Sequence, residues 1–267
     1  MQPPHVAIVT GANHGIGAAV ARRLAGRGVA VLASYLEIED PVDPGIPDAY
    51  RRNRASGADG LIEAITAAGG RAIAVAADLS DPEAPGRLFD QAYAELGPVD
   101  ILVNNATGWV QDTFTPVTQD RFGRSLAPVT AVTFTQQFSV DAMAAALLVA
   151  EFARRHVERG ATWGRIVGLT SGGARGFPQE VSYGAAKAAQ ENYTMSASVE
   201  LADHGVMTNM VHPPVTDTGW VTDEVRESVR ASTDHVHVAT PDQVAEVIDF
   251  LVSDAGELVT GNVLQLR

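Results

Sequence analysis

Short runs of β-branched and aliphatic residues alternate along this chain with longer Ala-rich segments of helical period, and this alternation restricts the fold more than any other feature. The runs Val6–Val9, Ala30–Ser34, Ala72–Ala76, Ile101–Asn104, Arg165–Leu169, Met207–Val211 and Val263–Leu266 predict strands. Stretches near Ile16–Arg27, Gly60–Ala68, Glu83–Leu96, Asp141–Glu158, Tyr183–Ala202 and Asp242–Val252 predict helices. Strands apolar on both faces belong in a parallel sheet covered on both sides, and parallel neighbours need a crossover helix between them. The expectation is a single doubly wound, Rossmann-like α/β domain over residues 1–267, with a seven-stranded, mainly parallel sheet and helices on both faces.

Three stretches break the alternation. Residues 36–57 form a polar insertion with Pro41, Pro44, Pro47 and then Arg51, Arg52 and Arg54. Residues 108–138 hold Thr130, Thr133, Thr135, Phe134 and Phe138 without a clear period, and residues 213–240 mix prolines, acids and Trp220. Each begins where a predicted strand ends, which is where open α/β sheets bind ligands, so 213–240 reads as a substrate loop.

Composition narrows the function classes. Nineteen Lys and Arg against 32 Asp and Glu give a net charge of −13, which argues against a nucleic-acid or anionic-membrane partner. The absence of cysteine excludes disulfides, thiolate metal sites and a cysteine nucleophile. The N-terminus has no charged leader and the most apolar stretch, Ala142–Ala150, is too short to span a bilayer, so the expected location is the cytoplasm. His235 and His237 lie in an irregular stretch without a convergent acid, so no metal is expected. Ser171 lies in Leu169-Thr170-Ser171-Gly172-Gly173, which is not a hydrolase nucleophile elbow.

After the first strand comes Thr10-Gly11-Ala12-Asn13-His14-Gly15-Ile16-Gly17, opening a helix. Glycines at a strand-to-helix turn let a pyrophosphate approach the N–H groups of the helix N-terminus. Tyr183 and Lys187 are four residues apart, so on a helix they share a face, and an ammonium beside a phenol favours the phenolate.

With these motifs in order, the chain resembles the short-chain dehydrogenase/reductase family. Thr10–Gly17 is similar to its cofactor loop, Asp78-Leu79 to its adenine-contacting pair, and Asn104-Asn105-Ala106 to its fourth-strand motif. Ser171 stands 12 residues before Tyr183-Gly184-Ala185-Ala186-Lys187, which resembles the catalytic Tyr-x3-Lys, and Pro213–Thr218 resembles the segment that closes on the nicotinamide. The resemblance implies an NAD(P)-dependent oxidoreductase that moves a hydride between the nicotinamide and a carbonyl or alcohol. Ser171, Tyr183 and Lys187 would be catalytic. The cofactor would meet Gly11, Asn13, His14, Gly15, Ile16, Gly17, Tyr35, Asp78, Leu79, Asn105, Ala106, Thr107, Tyr183, Lys187, Pro213, Val215 and Thr218.

Departures from the family pattern bear on the proton path and the substrate pocket. Asp141 stands where the family has a catalytic Asn, which makes it a candidate charge partner for Lys187, and Pro214 replaces a glycine. Tyr35 at the end of the second strand, His14 and the three arginines favour NADP(H), whereas Glu37, Glu39 and Asp40 keep NAD(H) as the alternative. Other functions on the same fold are a cofactor-sensing regulator without catalysis, which would be expected to lose Tyr183 or Lys187, and a sugar-nucleotide-type epimerase or dehydratase, which would need a larger C-terminal part. Related enzymes often pair through the two long helices, so a homodimer or homotetramer is expected. Trp109, Phe177 and Trp220, in loops beside the strand ends, would suit an apolar ring or chain if they line the pocket rather than cap the core.

Overall fold

The computed structural model describes residues 5–173 and 175–267. Its central sheet comprises β1 (Val6–Thr10), β2 (Ala30–Tyr35), β3 (Ala72–Ala76), β4 (Ile101–Asn104), β7 (Gly164–Leu169), β8 (Val206–His212) and β9 (Val263–Gln265), in the order β3-β2-β1-β4-β7-β8-β9. Every neighbouring pair is parallel. A further parallel pair, β5 (Asp112–Thr113) and β6 (Ala127–Pro128), stands apart.

Side-chain alternation divides the core in two. Ala7, Val9, Val31, Ala33, Val103 and Val167 face one way, towards α1 (Gly15–Gly26), α3 (Asp59–Ala67) and α9 (Pro241–Leu251). Ile8, Leu32, Leu102 and Ile166 face the other way, where they meet α4 (Ala84–Glu95), α6 (Ala145–Glu158) and α7 (Val181–Glu200). The order in which successive strands are added reverses between β1 and β4, so a crevice opens at their carboxyl ends.

The three irregular stretches are more ordered than the sequence suggests. The 36–57 insertion carries α2 (Asp48–Ala55), and 213–240 carries α8 (Asp223–Arg230). The largest correction concerns 108–138. Its last turns form α5 (Ala131–Phe138), which runs through a π-helical segment, Ser139–Ala144, straight into α6. Thr130 caps α5 through a reciprocal pair with Thr133, and Asp141 therefore lies in mid-helix rather than at a helix start. The resulting helix, Ala131–Glu158, is long and apolar enough to cross a membrane by length and composition. In this fold Leu148 and Phe152 bury its inner face against the sheet, and its last turns carry Glu151, Arg154, Arg155 and Glu158 in ion pairs.

The stretches also interlock. Asp43 accepts from the Ser125 amide at 2.9 Å, Asn53 donates to the Thr218 carbonyl at 3.1 Å, and Asn13 donates to the Ser56 carbonyl at 2.8 Å. A Cβ on Gly45 would lie 2.4 Å from the Arg124 backbone, so the insertion packs directly on the 108–138 segment. Together they roof the crevice.

Candidate active site

The glycine loop joins β1 to α1. Gly15 has φ +58°, a left-handed conformation suited to glycine, and a Cβ there would press on Thr218 at 2.9 Å. A Cβ on Gly17 would lie 2.3 Å from the Gly11 carbonyl oxygen, so only glycine lets the helix start this close to the turn. No side chain caps α1 and no acid occupies its first turn, a donor set suited to a phosphate.

Of the predicted cofactor residues, Asn105, Ala106 and Thr218 meet this loop. Asn105 spends its amide on the loop itself, donating to the carbonyls of Thr10 at 2.8 Å and Gly11 at 2.9 Å. The Ala106 amide donates to the Thr10 hydroxyl at 3.0 Å. Tyr35 ends β2, exposed Asp78 and buried Leu79 follow β3, and Pro213, Val215 and Thr218 follow β8. Ile16, Pro213, Val215 and Thr218 line a cleft of about 1080 Å³.

One expectation about charge changes. Burial, followed by the nearby Arg54 guanidinium, lowers the His14 pKa, so His14 is a neutral imidazole at pH 7 rather than a cation for a 2′-phosphate. Of the three arginines on α2, Arg51 pairs with Asp48, and Arg54 pairs with Asp40 at 2.5 Å.

Tyr183 and Lys187 share one face of α7, with the Lys187 Nζ 5.8 Å from the centre of the Tyr183 ring. Both line the cleft with Ser171, which follows β7. The start of α7 is anchored from outside: Asp112 accepts from the Ser182 amide at 2.8 Å and the Ser182 hydroxyl at 2.5 Å, which fixes the residue before Tyr183. Sequence reasoning missed Asp112. Its partner is 70 positions away and its own surroundings carry no period.

Asp141 meets Lys187 in an ion pair of 2.9 Å, with the two side chains 0% and 2% exposed. Its other oxygen accepts from the Thr107 hydroxyl at 3.1 Å, the Gly108 amide at 2.8 Å and the Gln137 amide at 2.6 Å. A carboxylate with an ammonium and three donors is well compensated for its loss of water. Lys187 also donates to Gln190 at 3.0 Å. Burial, then the carboxylates of Asp141 and Glu180, push the Tyr183 phenol well above the usual tyrosine range, while the Ser171 hydroxyl pulls it down. Tyr183 is thereby held as a neutral O–H at physiological pH, the form that donates a proton.

The far end of the cleft is aromatic and includes Trp109, Phe122, Phe177 and Trp220. Trp109, Phe177 and Trp220 thus face the pocket. Glu180, Asp120 and Arg124 line the same wall. Among the described residues no group of three or more His, Asp or Glu side chains converges as a metal site.

Comparison with known proteins finds similar sequences and folds over nearly the whole chain. The sequence model of the family described as Enoyl-(Acyl carrier protein) reductase matches residues 49–266. A cis-4-hydroxycyclohexanecarboxylate dehydrogenase from Sinomonas cyclohexanicum is 36% identical, with 97% of this chain and 93% of that protein covered. Among solved structures, an angucycline C-6 ketoreductase, LanV, with bound NADP superposes with a TM-score of 0.77 at 29% identity, covering 98% of this chain and 93% of that one. A blue fluorescent protein from a metagenomic library, in complex with NADPH, gives a TM-score of 0.80 at 27% identity, covering 99% and 97%.

Proposed function

The chain belongs to the short-chain dehydrogenase/reductase family and is an NAD(P)-dependent oxidoreductase acting between a carbonyl and an alcohol, and from that premise we propose that Tyr183 is its proton donor, with Ser171, Lys187 and Asp141 as its supporting groups. NADP(H) is the favoured cofactor, as the NADP- and NADPH-bound neighbours support. When bound, it supplies or accepts the hydride. The glycine loop and the uncapped start of α1 would hold its pyrophosphate, with Tyr35, Asp78-Leu79, Asn105–Thr107, Lys187 and Pro213–Thr218 around the rest.

The single observation that carries the reading is Tyr183 and Lys187 together on the cleft lining, with the buried Asp141 paired to Lys187. Ser171 would hydrogen-bond the substrate oxygen as charge grows there, and Tyr183 would pass that oxygen its proton. Asp141 balances the charge of Lys187, and with burial it keeps Tyr183 protonated, which favours reduction of a carbonyl at neutral pH. The aromatic wall suits a cyclic substrate. The test is cofactor oxidation against a panel of cyclic, polycyclic aromatic and thioester carbonyls, with the dissociation constants of NADPH and NADH measured in one buffer. Reduction of a cyclic ketone with tighter NADPH binding supports the reading. No turnover across the panel overturns it, and tighter NADH binding overturns the cofactor preference and points to Glu37.

The working unit is a homo-oligomer in the cytoplasm that takes a small molecule and neither nucleic acid nor membrane. Exposed Val132 and Phe134 on α5, and Tyr193 and Val199 on α7, support pairing across these helices. Light scattering on the purified protein distinguishes monomer, dimer and tetramer.

A further inference from the structure

Beside the aromatic side chains, three charged residues form a knot that the reaction scheme does not use. Arg124 donates from Nε to Asp120 at 2.6 Å and places Nη2 3.4 Å from Glu180. Gln111, with its amide oxygen turned inward, accepts from Nε and Nη2 of Arg124 at 3.1 Å each. The Arg124 guanidinium lies 5.6 Å from the centre of the Phe122 ring and 5.7 Å from that of Trp220. The Glu180 side chain is 10% exposed and lines the cleft at the residue preceding α7, three positions before Tyr183.

The composition of the knot decides what it can bind. The guanidinium already faces two carboxylates and an amide oxygen, so it offers no net positive charge to an anionic substrate. Burial raises the Glu180 pKa against the opposing pull of Arg124, and in either protonation state the side chain offers a carboxyl oxygen that accepts a hydrogen bond. Such a group, one helical turn from the proton donor and beside the aromatic side chains, suits a hydroxyl on the same ring as the reacting carbonyl.

We propose that Glu180, held in place by Arg124 and Asp120, is a specificity-determining residue that accepts a hydrogen bond from a second oxygen, a hydroxyl, on a neutral cyclic ketone. The proposal rests on Tyr183 as the proton donor. It goes further by naming the substrate class as hydroxylated ring ketones and by excluding ring carboxylates as the preferred ligands.

The test compares cyclohexanone, 4-hydroxycyclohexanone and 4-oxocyclohexanecarboxylate as substrates, with NADPH, for the parent, Glu180→Gln and Glu180→Leu. The parent is expected to prefer the hydroxyketone over cyclohexanone by about tenfold or more in kcat/KM, chiefly through KM. Glu180→Gln, which keeps an acceptor oxygen, retains most of that ratio, whereas Glu180→Leu brings it close to one. An unchanged ratio in Glu180→Leu overturns the proposal, as does a parent that prefers the carboxylate. Because each ratio is internal to one protein, partial loss of folding does not imitate the result. The same ligands are titrated by calorimetry into Tyr183→Phe with NADP bound. Retained turnover in Tyr183→Phe defeats the proton-donor reading, while equal affinities for cyclohexanone and the hydroxyketone defeat the Glu180 anchor independently.

Discussion

Replacing Asp141 by Asn removes a charge while keeping the shape and most of the hydrogen bonds, so it isolates what the carboxylate does to Tyr183. The carboxylate lies 2.9 Å from the Lys187 Nζ, which is 5.8 Å from the Tyr183 ring centre. Its contacting oxygen is therefore no more than about 9 Å from the ring, and at an effective dielectric of about 20 a unit charge at that range is worth about 1.8 kcal/mol. Losing it favours the phenolate and should move the Tyr183 ionisation down by at least about one pH unit. The assay is the pH profile of kcat/KM for alcohol oxidation, which reports the free enzyme. Ultraviolet titration of tyrosinate in the cofactor-free protein provides a readout independent of turnover. The Asp141→Asn profile should rise at lower pH than the parent's, with oxidation gaining on reduction at neutral pH. Coincident profiles and coincident tyrosinate titrations would refute the electrostatic role assigned to Asp141.

Two further outcomes follow from other charges. Lys187→Ala should lose turnover and weaken cofactor binding, and by leaving the Asp141 carboxylate buried without its cation it should cost about 3 kcal/mol of stability. Chemical denaturation should show part of that loss recovered when Asp141→Asn is added; no recovery would mean that the pair is not coupled. Burial pulls Asp120 and Asp43 upward, but the amides and the Arg124 guanidinium that face them outweigh it, so both carboxyls lie below the usual range. Their stabilisation is present above the unfolded value of about 3.9 and is lost as pH falls through the lower folded values. Hydrogen-exchange protection of the Phe122, Arg124 and Ser125 amides, which donate to these carboxylates, should therefore fall below about pH 4 before that of β1 and β4; equal loss throughout would contradict this.

The five inner strands of the sheet were legible because a strand buried on both faces must be written as an apolar run, the half-exposed edge strands β3 and β9 were legible from their aliphatic residues, and each predicted run falls within a residue or so of the observed strand. The glycine loop and the Tyr183–Lys187 spacing were legible for a related reason, since both are local: one turn and one helix face fix them. α5 was hidden. Its capping pair uses Thr133 where Glu or Gln is usual, and the π-helical segment at Ser139–Ala144 shifts the helical period just where it would be counted. The roof and the knot could not be read at all, because Asp43 with Ser125, Asp112 with Ser182 and Arg124 with Glu180 are partners only after the chain has folded. His14 shows the same limit in reverse: the residue type suggested a cation, and burial makes it neutral.

The most direct test of the account is Tyr183→Phe, which keeps the ring and removes the proton. Ketone-dependent NADPH oxidation should fall by about 10²- to 10⁴-fold, the range for general acid catalysis, while the dissociation constant of NADPH stays close to the parent's. A variant that reduces ketones within threefold of the parent rate would contradict the assignment of Tyr183 as the proton donor.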